Sequence, residues 1–166
     1  REGLETLIGW GADRLAVTCN TAHYFIDKFR DELPVPVIHI IEETIKKSQA
    51  VCPKGAWLTA TLGTMRTGLY QKHSAYFGYD FKLPSKEMQV EIHDITDQVK
   101  AGKQREAGER FRKVVEQHWK IEKLPVVGAC TEIPIAYRHT GLPEEMGISC
   151  LEALAEGCIR ELYRPL

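Results

Sequence analysis

The chain has 166 residues, of which 43% are hydrophobic and 27% charged, enough to bury a core as one ordinary domain or two small ones. A formal charge of −1, with Lys, Arg, Asp and Glu spread along the chain, leaves no basic face for nucleic acid and no acidic tail. No apolar run approaches the roughly 18–20 residues of a membrane span and Arg1-Glu2-Gly3 does not begin a secretory signal, so a soluble, cytoplasmic protein without membrane partners is expected.

Residues 6–11 read as the end of a helix, and Leu15-Ala16-Val17 as a short strand that breaks at Thr18-Cys19-Asn20. From 21 to 32, Ala22, Phe25, Ile26 and Phe29 recur at helical spacing, with Asn20 or Thr21 available to cap the helix. Leu33-Pro34-Val35-Pro36 ends that helix. Val37-Ile38-His39-Ile40 then reads as a buried strand and 42–50 as a helix. A third strand, 56–60, runs through Thr61-Leu62-Gly63-Thr64 into a helix over 67–77. After a short strand near 79–81, helices are expected over 85–99 and 103–120, separated by Ala101-Gly102. A strand over 125–129 ends at Cys130-Thr131-Glu132, and an amphipathic helix over 150–163 closes the chain. Alternating strands and helices predict a parallel-sheet α/β fold, and the two strand-Cys-Thr turns hint at two similar halves.

The five cysteines, at positions 19, 52, 130, 150 and 158, are odd in number and form no Cys-x-x-Cys pair. Reduced thiols are therefore expected, without a disulfide framework or a thiolate zinc site. A lone Cys after a strand is usually a small buried hydrophobe, the reading given to Cys52, Cys150 and Cys158. Cys19 and Cys130 differ because both follow an apolar strand in matching contexts, where parallel sheets bind ligands. A helix start there would lower a thiol's pKa from about 8.5 and bind a carboxylate. Two such cysteines could face one ligand from opposite sides, one as thiolate and one as thiol, as inversion of a stereocentre by proton transfer requires. Neither a cofactor motif nor a metal-ligand set is present. His23, four residues past Cys19, lacks a second ligand pair and reads as a helix-surface or pocket-wall side chain. The charged stretch 103–120 reads as a salt-bridged exposed helix face.

Cys19-Asn20-Thr21-Ala22-His23 and Gly128-Ala129-Cys130-Thr131-Glu132-Ile133-Pro134 resemble the two signature segments of the aspartate/glutamate racemases, the second closer to the aspartate branch. Ala60-Thr61-Leu62-Gly63-Thr64 with Gly68-Leu69-Tyr70-Gln71, and Val99-Lys100-Ala101-Gly102, match the same pattern in the same order. The resemblance implies a cofactor-independent racemase of aspartate, or glutamate, with two pseudosymmetric α/β domains, the site in the cleft between them, and commonly a homodimer. It makes Cys19 and Cys130 the catalytic acid/base pair. Asn20, Thr21 and Thr131 would hold the α-amino and α-carboxylate groups, Lys100 would meet the side-chain carboxylate, and Thr61 and Thr64 would line the pocket. Glu132 could accept a proton from Cys130 or orient it, or serve as ordinary helix stabilisation.

The division expected is residues 1–34 as the remainder of a first domain, 35–140 as the second, and 141–166 returning to the first. The strand, Gly-rich turn and further basic residue that open the family pattern are absent before Cys19, so the first domain is incomplete here and an N-terminal segment preceding Arg1 is expected. Ala129 stands where the family has Gly, which ordinary β geometry would accept. Two other readings fit these residues. One is a superfamily relative of different specificity, such as a broad-specificity racemase, a decarboxylase or another isomerase. Retention of both cysteines weighs against a one-cysteine decarboxylase. The other is an inactive relative that binds a dicarboxylate.

Overall fold

The structure, a computed structural model, describes residues 1–163. Its paired strands all run parallel, in two sheets. In the smaller, β1 (Leu15–Ala16) lies beside β2 (Val37–Ile38). The larger contains β3 (Ala56–Thr59), β4 (Phe81–Lys82), β5 (Val126–Gly128) and β6 (Gly147–Ser149), in the order β4-β3-β5-β6. The expected α/β fold is therefore present. The pairing of β2 with β1, and of β6 with β5, runs across the boundaries drawn at 34/35 and 140/141. Residues 164–166 of the last expected segment lie outside the described residues.

Before, between and after the strands run α1 (Glu2–Gly9), α2 (His23–Ile26), α3 (Ile40–Val51), α4 (Leu62–Thr67), α5 (Leu69–Phe77), α6 (Lys86–Lys100), α7 (Gln104–Ile121), α8 (Ile133–Arg138) and α9 (Cys150–Leu162). All four residues of β3 are buried, as a parallel strand covered on both faces requires. Alternation along the strands then feeds two cores. Ala56, Leu58 and Val127 pack with Ile41 and Ile45 of α3, Tyr70 of α5 and Leu154 of α9. Trp57 and Val126 pack with Ile92 and Ile95 of α6, Phe111 and Val115 of α7, and Ile133 of α8. Each buried Val, Leu, Ile or Phe among these contributes about 1.5–3 kcal/mol, more than helix propensity supplies, so packing decides where the helices sit.

Three expectations are corrected. Residues 21–32 are not one helix: α2 lasts four residues and a 3-10 turn, Arg30–Glu32, follows it. Neither Asn20 nor Thr21 caps it, because both side chains are drawn into contacts with other segments. The helix expected over 67–77 is present as α5 but starts at Leu69, and a further short helix, α4, precedes it, parted from it at Gly68 in the left-handed region with φ 62°. Short β6 and α8 carry no clear sequence signal, and Pro134 in α8 is tolerated because it falls in the first turn, where its missing N–H is not needed. Ala129 is buried, and no non-glycine among the described residues has positive φ, so Ala fits there. No helix among the described residues is long and apolar enough to cross a membrane.

Candidate active site

Open α/β sheets bind ligands outside the carboxyl ends of their strands. The segments leaving β1, β3, β5 and β6 carry Cys19-Asn20-Thr21, then Thr61 with Thr64, then Cys130-Thr131-Glu132, and finally Cys150. Asn20 is buried, its Oδ1 accepting from the Tyr70 hydroxyl at 2.7 Å and its Nδ2 donating to Cys150 Sγ at 3.4 Å. Thr21 and Thr64 share a hydroxyl–hydroxyl bond of 2.8 Å. Thr61 donates to Thr64 Oγ1 at 3.2 Å while accepting from the Thr64 backbone N–H at 3.3 Å, which caps α4. The turn after β1 is thus tied to the larger sheet at two points, and Asn20, Thr21, Thr61 and Thr64 are brought together.

Cys130 and Glu132 form the second half. The Cys130 thiol donates to Glu132 Oε2 at 2.8 Å, and the Thr131 hydroxyl donates to the same oxygen at 2.9 Å. Burial, then the bond to Glu132, pushes the Cys130 thiol up to about 12. This corrects the expectation that a helix start would lower it. α8 is only six residues long, and a neighbouring carboxylate with desolvation outweighs any dipole it offers. Burial would raise the Glu132 carboxyl too, but the bonds from Cys130 and Thr131, with the charge of Lys100, hold it below its ordinary value.

Cys19 is in a different setting: it is exposed, while its backbone carbonyl accepts from Nδ1 of His23, 2.8 Å away. Lys100 is exposed and pairs with Asp97 at 3.2 Å, a contact too open to water to fix it. The bond to Asp97 raises the Lys100 ammonium, and the charges of Glu132 and Cys130 add to the effect, so Lys100 lies within the field of the Cys130 turn. His23 is not a surface or wall residue. It is fully buried beneath the Cys19 turn.

Cys150 is buried, as its reading as a small hydrophobe expected, and Tyr70 lies in one of the resembling segments, but the bonds of both to Asn20 were not legible in sequence. Cys150 follows a strand as the other two cysteines do, but β6 is three residues long and gives no pattern by which to notice it. A cavity of about 320 Å³ is lined by Gly128, Ile133, Pro134, Tyr137 and Ser149 among others, residues that flank Cys130 and Cys150 in the chain, but neither cysteine lines it.

Known proteins resemble this chain in family and in fold. The family model described as Asp/Glu/Hydantoin racemase matches residues 1–158. The broad specificity amino-acid racemase RacX of Bacillus subtilis is 38% identical over 71 residues, 43% of this chain and 31% of that protein. A glutamate racemase of Corynebacterium kroppenstedtii is 34% identical over 70 residues, 41% of this chain and 24% of the relative. The matched segments thus span less than a third of either curated relative. Among solved structures, the Picrophilus torridus aspartate racemase superposes with a TM-score of 0.80 at 23% identity, over 99% of this chain and 68% of that one. Glutamate racemase RacE1 of Bacillus anthracis gives 0.71 at 19% identity, over 98% and 63%. These likenesses establish the shared fold.

Proposed function

This chain belongs to the Asp/Glu/hydantoin racemase family, and from that premise we propose that it racemises an acidic amino acid, aspartate before glutamate, without a cofactor, by passing the α-proton between Cys19 and Cys130. The observation that carries the reading is the asymmetry of the two thiols. Each follows the carboxyl end of a parallel strand, yet Cys130 is held as a thiol on Glu132 while Cys19 is open to solvent.

In one direction the Cys19 thiolate takes the α-proton as the Cα–H bond breaks, and the electron pair passes into the substrate's α-carboxylate. The Cys130 S–H bond then breaks and its proton forms a new Cα–H bond on the other face. The Cys130 thiolate left beside the Glu132 carboxylate is a strong base, because like charges resist sharing a site. It is therefore poised to abstract in the reverse direction. Asn20, Thr21 and Thr131 hold the α-amino and α-carboxylate groups, with Thr61 and Thr64 completing the pocket wall. Lys100 leaves Asp97 to meet the side-chain carboxylate. Stabilising charge as it develops on the carboxylate lowers the barrier to a carbanion.

The test follows α-proton exchange in D₂O, and optical rotation in H₂O, for both enantiomers of aspartate and glutamate, without added cofactor. Wild type should exchange and racemise, and Cys19→Ser and Cys130→Ser should each lose at least about a hundredfold of the racemisation rate. No exchange on either amino acid would sink the acidic-substrate reading. The match to RacX favours one alternative, a broad-specificity racemase, which turnover of neutral or basic amino acids at comparable rates would reveal.

A further inference from the structure

Beneath the Cys19 turn lies a column of buried polar groups that the proposed proton transfer does not itself use. Its rings are His23, His39 and His73, with centroids 4.2 Å apart for the first pair and 4.6 Å for the second. Asp27 clamps the column from the side: His39 Nε2 lies 3.0 Å from Asp27 Oδ1, and His73 Nε2 lies 2.8 Å from Oδ2. Two cations and a second carboxylate close the outer end. Arg30 bonds Glu42 at 2.6 Å, Glu42 lies 3.5 Å from His73 Nδ1, and the exposed Lys72 reaches Asp27 at 3.2 Å. At the inner end His23 Nδ1 meets the Cys19 carbonyl oxygen at 2.8 Å.

The proton positions follow from the partners. A carbonyl only accepts, so His23 carries its hydrogen on Nδ1, and its buried Nε2 has no partner. Carboxylates likewise accept, so His39 donates from Nε2, and its Nδ1 is buried without a partner. Burial keeps both rings neutral, lowering His23 and bringing His39 down to about 4, whereas the bond to Glu42, with Asp27, raises His73 against its burial.

Asp27, His39 and His73 offer atoms within 4.8 Å of one another, as a metal trio would. Both Nε2 atoms, however, are already committed to Asp27, His39 Nδ1 lacks the outer acceptor that a metal-bound ring normally has, and Arg30 and Lys72 supply the positive charge. The column is therefore read as a support held by hydrogen bonds and ion pairs, with His23 Nε2 and His39 Nδ1 left unpartnered at its ring contacts.

We propose that His23 is a positioning residue for Cys19, its Nδ1–H fixing the Cys19 carbonyl and hence the direction of the thiol, and that Asp27 holds His23 in place through the clamped rings of His39 and His73. This rests on the racemase reading for its catalytic consequence, but not for its structural one. Errors of about 1 Å in the placement of a reacting group can cost about a hundredfold in rate, so a turn on an exposed edge needs such a support.

The test compares His23→Leu, which keeps bulk but loses the donor, with His23→Asn, whose side-chain N–H₂ can occupy the place of Nδ1, and with Asp27→Asn. Two quantities are read on the full chain: kcat and KM for racemisation, and the rates at which iodoacetamide alkylates Cys19 and Cys130 in the same molecules, resolved by peptide mass spectrometry. His23→Leu should lower kcat about tenfold or more with KM within about threefold, and change the Cys19 alkylation rate at least about threefold while Cys130 keeps its own. His23→Asn should restore most of both, and Asp27→Asn should reproduce the Leu pattern in weaker form. The proposal is overturned if His23→Leu alkylates at Cys19 as wild type does, or if the Asn variant is as impaired as Leu, which would leave ring packing alone. If His23→Leu does not fold, Asp27→Asn with an unaltered Cys19 rate overturns it equally. If wild type racemises nothing, the alkylation rates still decide the positioning role while the functional reading falls.

Discussion

At the scale of single residues, the decisive feature is that two cysteines in similar sequence contexts meet different surroundings. Cys130 is half-buried and has gained a carboxylate neighbour. Glu132→Gln removes that charge while keeping the size. The Cys130 thiol should then fall from about 12 but stay above an ordinary thiol, because burial, the larger cause, remains. The pH dependence of its alkylation would reveal this. Turnover should fall together with it, since the thiolate formed in each cycle would be a weaker base. The role of Glu132 was open from sequence, where an acid in a first helical turn has an ordinary explanation. The 2.8 Å contact with the thiol gives it a second one.

At the scale of elements, close approach and burial set the stability. α7 crosses the end of α8 at Gly108, where an added Cβ would lie 2.4 Å from His139 Cβ and 2.7 Å from its backbone oxygen. Gly108→Ala would gain up to about 1 kcal/mol of helix propensity. The overlap with backbone costs about 1–3 kcal/mol. Net destabilisation is expected, visible as a lower midpoint in urea. On the same helix His118 stacks on Trp57 with ring centroids 4.4 Å apart, both its nitrogens buried and unpartnered. Burial lowers it to about 4. Between its ordinary pKa near 6.5 and about 4, the unfolded chain binds a proton that the folded one refuses, so stability falls as pH falls through that window. His39 adds to the same slope, its folded pKa also being about 4. His118→Phe keeps the stack and should flatten the decline in melting temperature between pH 6.5 and 4. The charged face of α7 was legible from sequence. The buried His118 was not, because a polar residue in a helix period signals burial only once its neighbour across the core is known.

At the scale of the whole molecule, the smaller sheet is joined to the larger through Asn20, whose amide is gripped by Tyr70 of α5 and by Cys150 at the start of α9. These three residues lie far apart in the chain, and each is buried. Tyr70→Phe keeps the ring in its core and removes only the hydroxyl. A buried hydrogen bond lost in this way costs about 1–2 kcal/mol, and Asn20 would lose a fixed orientation. A modest fall in stability with a disproportionate rise in KM is the expected result, measured by denaturation and by steady-state racemisation. An effect on stability alone would confine Tyr70 to a packing role.

Local pattern determined much about this protein. Apolar runs and turn residues located β3, β5 and most helices. The repeat of strand, Cys and Thr marked both turns, and the ordered segments around Cys19, Thr61, Lys100 and Cys130 marked the family. Such features are carried by neighbours in the chain, so they survive in one dimension. Tertiary structure alone decided the rest. It cut the helix expected over 21–32 to four residues, with the side chains of Asn20, Thr21 and Asp27 bonded across the fold rather than along the helix. It drew Tyr70 and Cys150 to Asn20 and packed three histidine rings, edge-on and tilted, beneath Cys19. It also raised the thiol of Cys130 where a helix start had suggested lowering it. Desolvation and long-range hydrogen bonding depend on which surfaces meet, and no spacing along the chain encodes that meeting until the chain has closed on itself.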